Sequence, residues 1–134
     1  MYDQIRELTK RIVNKFVTGD LSDVSLLVAA DYVDHQGLSG VEIFGPAGFA
    51  RVVTSARASC GDLRVRIEDL LAAADKVSVR LRWRGTLLVG SPNTDSMGKV
   101  FDRETINIIR FENGQMVEHW EAELWVSLRR GFVK

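Results

Sequence analysis

Val117-Glu118-His119-Trp120-Glu121-Ala122-Glu123-Leu124-Trp125 follows the tetrapeptide Glu112-Asn113-Gly114-Gln115, which in turn follows a second alternating run, Val100 to Phe111. Asn-Gly suits the two positive-φ positions of a type I′ turn, so the whole stretch predicts a β-hairpin. Period-two alternation places His119, Glu121 and Glu123 on one face of the last strand, with Val117 and Trp125 at its ends. Phe101, Arg103, Thr105, Asn107, Ile109 and Phe111 form the matching face of the strand before it. Because a tight turn makes these strands neighbours, Arg103, Thr105, Asn107, His119, Glu121 and Glu123 can converge. Carboxylates and an imidazole are costly to bury without partners, and a solvent-facing strand does not usually frame them with large apolar groups. The pattern points to an apolar pocket holding a general acid or base. A surface ion pair would account for Arg103 with Glu123, but poorly for the flanking apolar residues.

Working back from the hairpin, the period stays at two. Val77, Val79, Leu81 and Trp83 alternate with Ser78, Arg80, Arg82 and Arg84, and Leu63, Val65 and Ile67 alternate with Arg64, Arg66 and Glu68. The Arg80-Arg82-Arg84 row is expected to pair with Asp102, Glu104 and Glu118, as a solvated or interface face rather than an anion site. Gly90 to Lys99 is a polar loop. Before residue 63 the period is helical. Ile5, Leu8, Ile12, Val13 and Phe16 make one stripe, stopped by Gly19. Asp20 is placed to cap a short second helix carrying Val24, Leu27 and Val28. Tyr32 to His35 reads as a brief extended segment, followed by a loop from Gln36 to Gly45. A third helix starts at Pro46, buries Phe49, Val52, Val53 and Ala56, and ends at Gly61. Helices first and then four long antiparallel strands define an α+β domain.

Composition narrows the function classes. The chain has 134 residues, 46% of them hydrophobic and 27% charged, which is one domain's worth of packed core spanning 1–134. Eighteen basic and eighteen acidic residues cancel, so the dense positive field that nucleic acid requires is missing. A single cysteine, Cys60, precludes an internal disulfide and points to a reducing cytoplasm. Two histidines and one cysteine argue against a structural zinc site. The N-terminus does not resemble a signal peptide, and no apolar run approaches the roughly 18 residues that span a bilayer.

Several local runs, in this order, resemble the SnoaL-like polyketide cyclases of the nuclear transport factor 2-like superfamily. They are Ala30-Asp31-Tyr32-Val33-Asp34-His35, Gly45-Pro46-Ala47-Gly48-Phe49, Trp83-Arg84-Gly85-Thr86 and Phe111 to Glu121. The resemblance implies a cone-like fold, with N-terminal helices packed on a curved, mostly antiparallel sheet. It also implies a general base immediately after the His-X pair of the last strand, which is Glu121 here. In the cyclases such a base removes a proton alpha to a carbonyl, and an intramolecular aldol addition closes a ring. The family usually has Asp at this position, so one extra methylene moves the carboxylate by about 1.5 Å, and errors of that size matter to rate. Other pocket positions correspond to Asp34, His35, Thr105 and Asn107. Thr105 departs from the usual amide or imidazole, Leu87 stands where many members have His, and the loop from Gly90 to Lys99 is longer than the family's compact turn.

The expected site therefore has Glu121 as base and His119 or Asn107 steadying the oxyanion, with Arg103 as a further donor. Asp34 and His35 would form a polar cluster at the pocket mouth, and Thr105 and Glu123 would line the wall. Phe49, Trp83, Phe101 and Trp125 would supply flat apolar surfaces for a hydrophobic, aromatic or polycyclic ligand. No metal or cofactor is implied. Three readings stay open at this point: a cofactor-free cyclase or isomerase, a small-molecule binding module without chemistry, and an interaction domain with a filled cavity. Epoxide hydrolysis on this scaffold needs an Asp-Arg-Asp type relay that Arg103, Glu121 and Glu123 only loosely permit. Trp120, Leu124, Val126, Ile106 and Ile108 share the second face of the sheet, too apolar for bulk water, and predict a homodimer packed sheet to sheet.

Overall fold

The computed structural model describes residues 2–88 and 98–124. In chain order the elements are α1 (Tyr2–Thr18), α2 (Val24–Leu27), β1 (Val28–Leu38), β2 (Val41–Phe44), α3 (Gly45–Ser59), β3 (Cys60–Ala73), β4 (Lys76–Leu87), β5 (Val100–Glu112) and β6 (Gln115–Leu124). The helices pack on a six-stranded sheet of order β2-β1-β6-β5-β4-β3. Every pairing is antiparallel except that of β1 with β6.

The four long strands are present, and two more strands were not foreseen. The segment read as brief runs on through Leu38 as β1, and the expected loop after it contains β2. Between them the chain reverses through Gly37, at φ +48, and a Cβ there would lie 1.7 Å from the Val41 carbonyl oxygen, so only glycine fits.

Ile5, Leu8, Ile12 and Val13 of α1 are buried as the stripe predicts. Phe16 meets Phe49 of α3 and Trp83 of β4 edge to face, with centroids 5.9 and 5.1 Å apart. Gly19 closes α1, its N–H donating to the Lys15 carbonyl at 2.8 Å. Asp20 does not cap α2. Its carboxylate accepts from Ser22 instead, and the N-cap is Asp23, whose side chain is held by Lys15 and Arg11. Val28 belongs to β1 rather than α2, and α3 gives way to β3 at Cys60, one residue before the expected Gly61.

Across the sheet, Val28, Val77 and Val79 are completely covered; a buried aliphatic side chain of this kind contributes about 1.5–3 kcal/mol relative to an exposed one. A bulge in β3 between Ile67 and Asp69 shifts the alternation, so that Val65, Ile67, Leu70 and Ala72 all pack on the core. Asn113 and Gly114 take φ +51 and +76, the two left-handed positions that the type I′ turn requires. A second irregularity, between Arg110 and Phe111, pairs Phe111 with Met116. It brings Met116, not Val117, to the inner cluster.

Candidate functional site

Alternation on five strands and the stripes of α1 and α3 enclose a cavity of about 400 Å³. Phe16, Phe49, Leu81, Trp83 and Phe101 are among its apolar walls, and Asp34, Arg103, Asn107, His119, Glu121 and Glu123 mark its polar side. The register explains the convergence. Asn107 faces Glu121 and Thr105 faces Glu123 across the β5–β6 ladder, while Asp34 sits beside His119 across the parallel β1–β6 ladder.

A chain of hydrogen bonds runs along the polar side. Trp83 Nε1–H donates to Thr105 Oγ1 at 2.9 Å. Asn107 Nδ2–H donates to the same oxygen at 2.9 Å. Asn107 Oδ1 faces His119 Nε2 at 2.8 Å, and His119 Nδ1 faces Asp34 Oδ1 at 3.1 Å. That carboxylate also accepts the backbone N–H groups of Gln36 and Gly37 at 3.2 and 3.0 Å. Asp34, Thr105 and Asn107 are each only 3% exposed, so these bonds satisfy groups that would otherwise be costly to bury. For Asp34, burial pushes the pKa up, but the bond to His119, its charge and the two backbone N–H groups outweigh it, leaving the carboxyl below the ordinary range. Tyr32, buried beside it, has its phenol pushed far up by burial and by the nearby Asp34 charge.

Glu121 has a different environment. Its side chain lines the cavity, and burial raises its pKa, with His119 and Arg103 partly opposing and Asp34 and Glu123 adding to the rise. Among the described residues its carboxylate accepts no hydrogen bond; only its backbone N–H is engaged, donating to Gln36 Oε1 at 2.6 Å. Arg103 pairs with Glu123 at 2.8 Å rather than with Glu121, and its guanidinium lies 4.3 Å over the Phe101 ring.

His35 is placed otherwise than expected. Adjacent residues of a strand point to opposite faces, so Asp34 enters the cavity and His35 leaves it. On the outer face His35 bridges Glu42 and Glu118 at 2.7 and 2.9 Å and stacks on Trp120 with centroids 5.0 Å apart. Glu118 is therefore committed to His35 and Arg110, not to the β4 arginines. Arg80 and Arg82 do pair with Glu104 and Asp102. Trp125, most of the loop from Gly90 to Lys99, and Val126 lie outside the described residues. Cavity residues that were not picked out as site residues include Tyr32, Gln36 and Cys60. The first two share the period-two face of Asp34, which was the signal for them. Among the described residues no three His, Cys, Asp or Glu side chains gather as a metal-ligand set, and no helix is long and apolar enough to cross a membrane.

The family profile of the SnoaL-like polyketide cyclases matches residues 6–130. The chain belongs to that family. Among the chains of known structure that share its fold is IdmH of Streptomyces antibioticus, a candidate polyketide cyclase, at 25% identity and TM-score 0.76, over 88% of this chain and 90% of IdmH. TsrD of Streptomyces laurentii superposes at TM-score 0.80 with 18% identity, over 97% of this chain and 95% of TsrD. A protein of ketosteroid isomerase-like fold from Catenulispora acidiphila, in complex with trimethylamine, superposes at TM-score 0.70 with 17% identity, over 87% and 84% of the two chains. No curated protein matches. In this SnoaL-like chain Glu121, the residue expected to act as base, lines the cavity.

Proposed function

We propose that this SnoaL-like protein is a cofactor-independent enzyme in which Glu121 takes a proton alpha to a carbonyl of a hydrophobic small molecule, leading to aldol cyclisation or isomerisation. The observation that carries this reading is the carboxylate itself. It sits in an apolar cavity, burial raises its pKa, and no described residue hydrogen-bonds it. A base so placed is stronger near neutral pH than an ordinary glutamate and is not tied up by a partner.

The help for a developing enolate is reassigned within this reading. Both nitrogens of His119 face acceptors, and the Asn107 amide donates to Thr105. These two side chains therefore act as positioning residues that hold the polar wall. Arg103 gives one Nη1–H to Glu123, and a guanidinium has five donors; the remaining ones suit the oxyanion. Asp34 orients His119, and Trp83, Phe49 and Phe101 hold the flat body of the ligand. The same polar wall would serve a non-catalytic binding domain, which the Arg103–Glu123 pair favours as a ready recognition element.

The deciding experiment is Glu121→Gln, which keeps shape and removes basicity. On a substrate turned over by the wild type, the variant should lose about 10²–10⁴-fold in kcat while still binding ligand. Full turnover by the variant would exclude Glu121 as the base, and tight binding without turnover by either protein would favour the binding domain. As part of this proposal, residues 1–134 form one domain that works in the cytoplasm and pairs with a second copy through Ile106, Ile108, Trp120 and Leu124 of the outer face.

A further inference from the structure

Strands β3 and β4 bring four arginines together on the face turned away from the cavity. The register sets Arg64 opposite Arg84 and Arg66 opposite Arg82, and like charges directly opposite one another destabilise a sheet. Between them lies a dent of about 150 Å³ lined by Arg64, Val65, Arg66, Arg82 and Arg84. Two carboxylates answer the four guanidinium groups. Asp102 accepts from Arg82 Nε and Nη2 at 3.0 and 3.1 Å, and Glu68 accepts from Arg66 Nε at 2.8 Å.

The other two arginines are less well served. Arg84 Nε lies 3.4 Å from Asp102 Oδ2 but without hydrogen-bond geometry. It is buried, and among the described residues it is the one buried side-chain polar atom without a hydrogen-bond partner, although the Asp102 carboxylate pairs with its charge. Arg64, opposite it, has no carboxylate partner among the described residues. Four guanidinium groups against two carboxylates leave surplus positive charge and free N–H donors on this corner, and an anion fits both.

We propose that this corner of the outer face is a binding site for a phosphate-type dianion, free or as a phosphomonoester. Guanidinium forks match tetrahedral oxyanions through paired N–H donors. The two paired strands hold these donors on a fixed frame, and 150 Å³ leaves room for one such group with a few waters, at about 30 Å³ each. An anion there would offset the Arg64–Arg84 and Arg66–Arg82 repulsion. The site is independent of Glu121.

The test is an NMR titration of arginine Nε–H signals at low ionic strength with inorganic phosphate, phenyl phosphate and, as control, chloride. Saturable shifts at Arg82 and Arg84 with phosphate are expected, at least tenfold weaker in the exposed-site variant Arg64→Gln and in Arg84→Gln, and unchanged in Glu121→Gln. Tighter binding of phenyl phosphate would identify an esterified group, and equal binding a free anion. The proposal fails if millimolar phosphate shifts nothing, if chloride does the same, if Arg64→Gln binds as the wild type does, or if these signals respond to protein concentration alone.

Discussion

The backbone N–H of Glu121 donates to the side-chain oxygen of Gln36 at 2.6 Å. The parallel ladder between β1 and β6 has its last register pair at Asp34 and His119, after which β1 turns away toward β2. Gln36 supplies with its side chain the acceptor that a continuing strand would have supplied with its backbone. The carboxylate proposed as base is thus anchored by the residue that ends the ladder.

Gln36→Leu should therefore cost about 0.5–1.5 kcal/mol in urea unfolding, the net value of one such hydrogen bond. The Glu121 amide should lose hydrogen-exchange protection ahead of its neighbours. An unchanged exchange rate at that amide would show that the bond does not hold the strand.

Glu121 also predicts a pH dependence. Its folded pKa is raised above the ordinary 4.5, so over a window above that value the native state holds a proton that the unfolded chain has released. The sign follows: stability is greatest below 4.5 and falls as pH rises through the folded pKa. Glu121→Gln cannot ionise. Denaturation midpoints of wild type and variant should diverge as pH rises above 4.5, the variant gaining; parallel curves would contradict the burial of this carboxylate.

His35 behaves in the opposite sense. The bonds to Glu118 and then to Glu42 raise its pKa above the ordinary 6.5. Its contribution is fully present below 6.5 and is lost as pH rises through the folded value. The advantage of wild type over His35→Gln should shrink on going to alkaline pH, with the β1–β2 hairpin loosening first by hydrogen exchange. A pH-independent difference would mean that packing on Trp120, not charge, is what His35 supplies.

Thr105 accepts from two donors, Trp83 Nε1–H and Asn107 Nδ2–H, and is almost fully buried. Thr105→Val should cost about 1–3 kcal/mol, because Trp83 Nε1–H loses its acceptor and Asn107 Nδ2–H keeps only the Val79 carbonyl at 3.5 Å. Adding Trp83→Phe should cost less in that background than in the wild type, a coupling that a double-mutant cycle reads directly.

What could be read in advance, and what could not, has a physical basis. The long strands announced themselves because Val77, Val79 and Leu81 alternate cleanly, and the hairpin because Asn113-Gly114 admits few other conformations. The convergence of Asn107, His119 and Glu121 followed from that hairpin alone. β1 was hidden because Ala29, Ala30 and Asp31 carry no alternation, and its parallel partner is far along the chain. That gap had a direct cost at the site: with β1 cut short, Asp34 and His35 were treated as one cluster, although neighbours on a strand cannot face the same way. Gln36 was assigned to a loop for the same reason. The displacement of Val117 by Met116 arose from a bulge, which leaves no mark in the pattern of apolar residues.

The union of Asp34 with His119 spans 85 positions, through the parallel pairing of β1 with β6. During synthesis the first partner waits unmatched until β6 has left the ribosome, while the helices and the β3–β5 meander can form from nearby contacts. Such distant pairings are slow to close. The polar wall is accordingly expected to assemble last, so that a nascent chain stalled before β6 would carry an open, greasy trough and depend on chaperones until the final strand arrives.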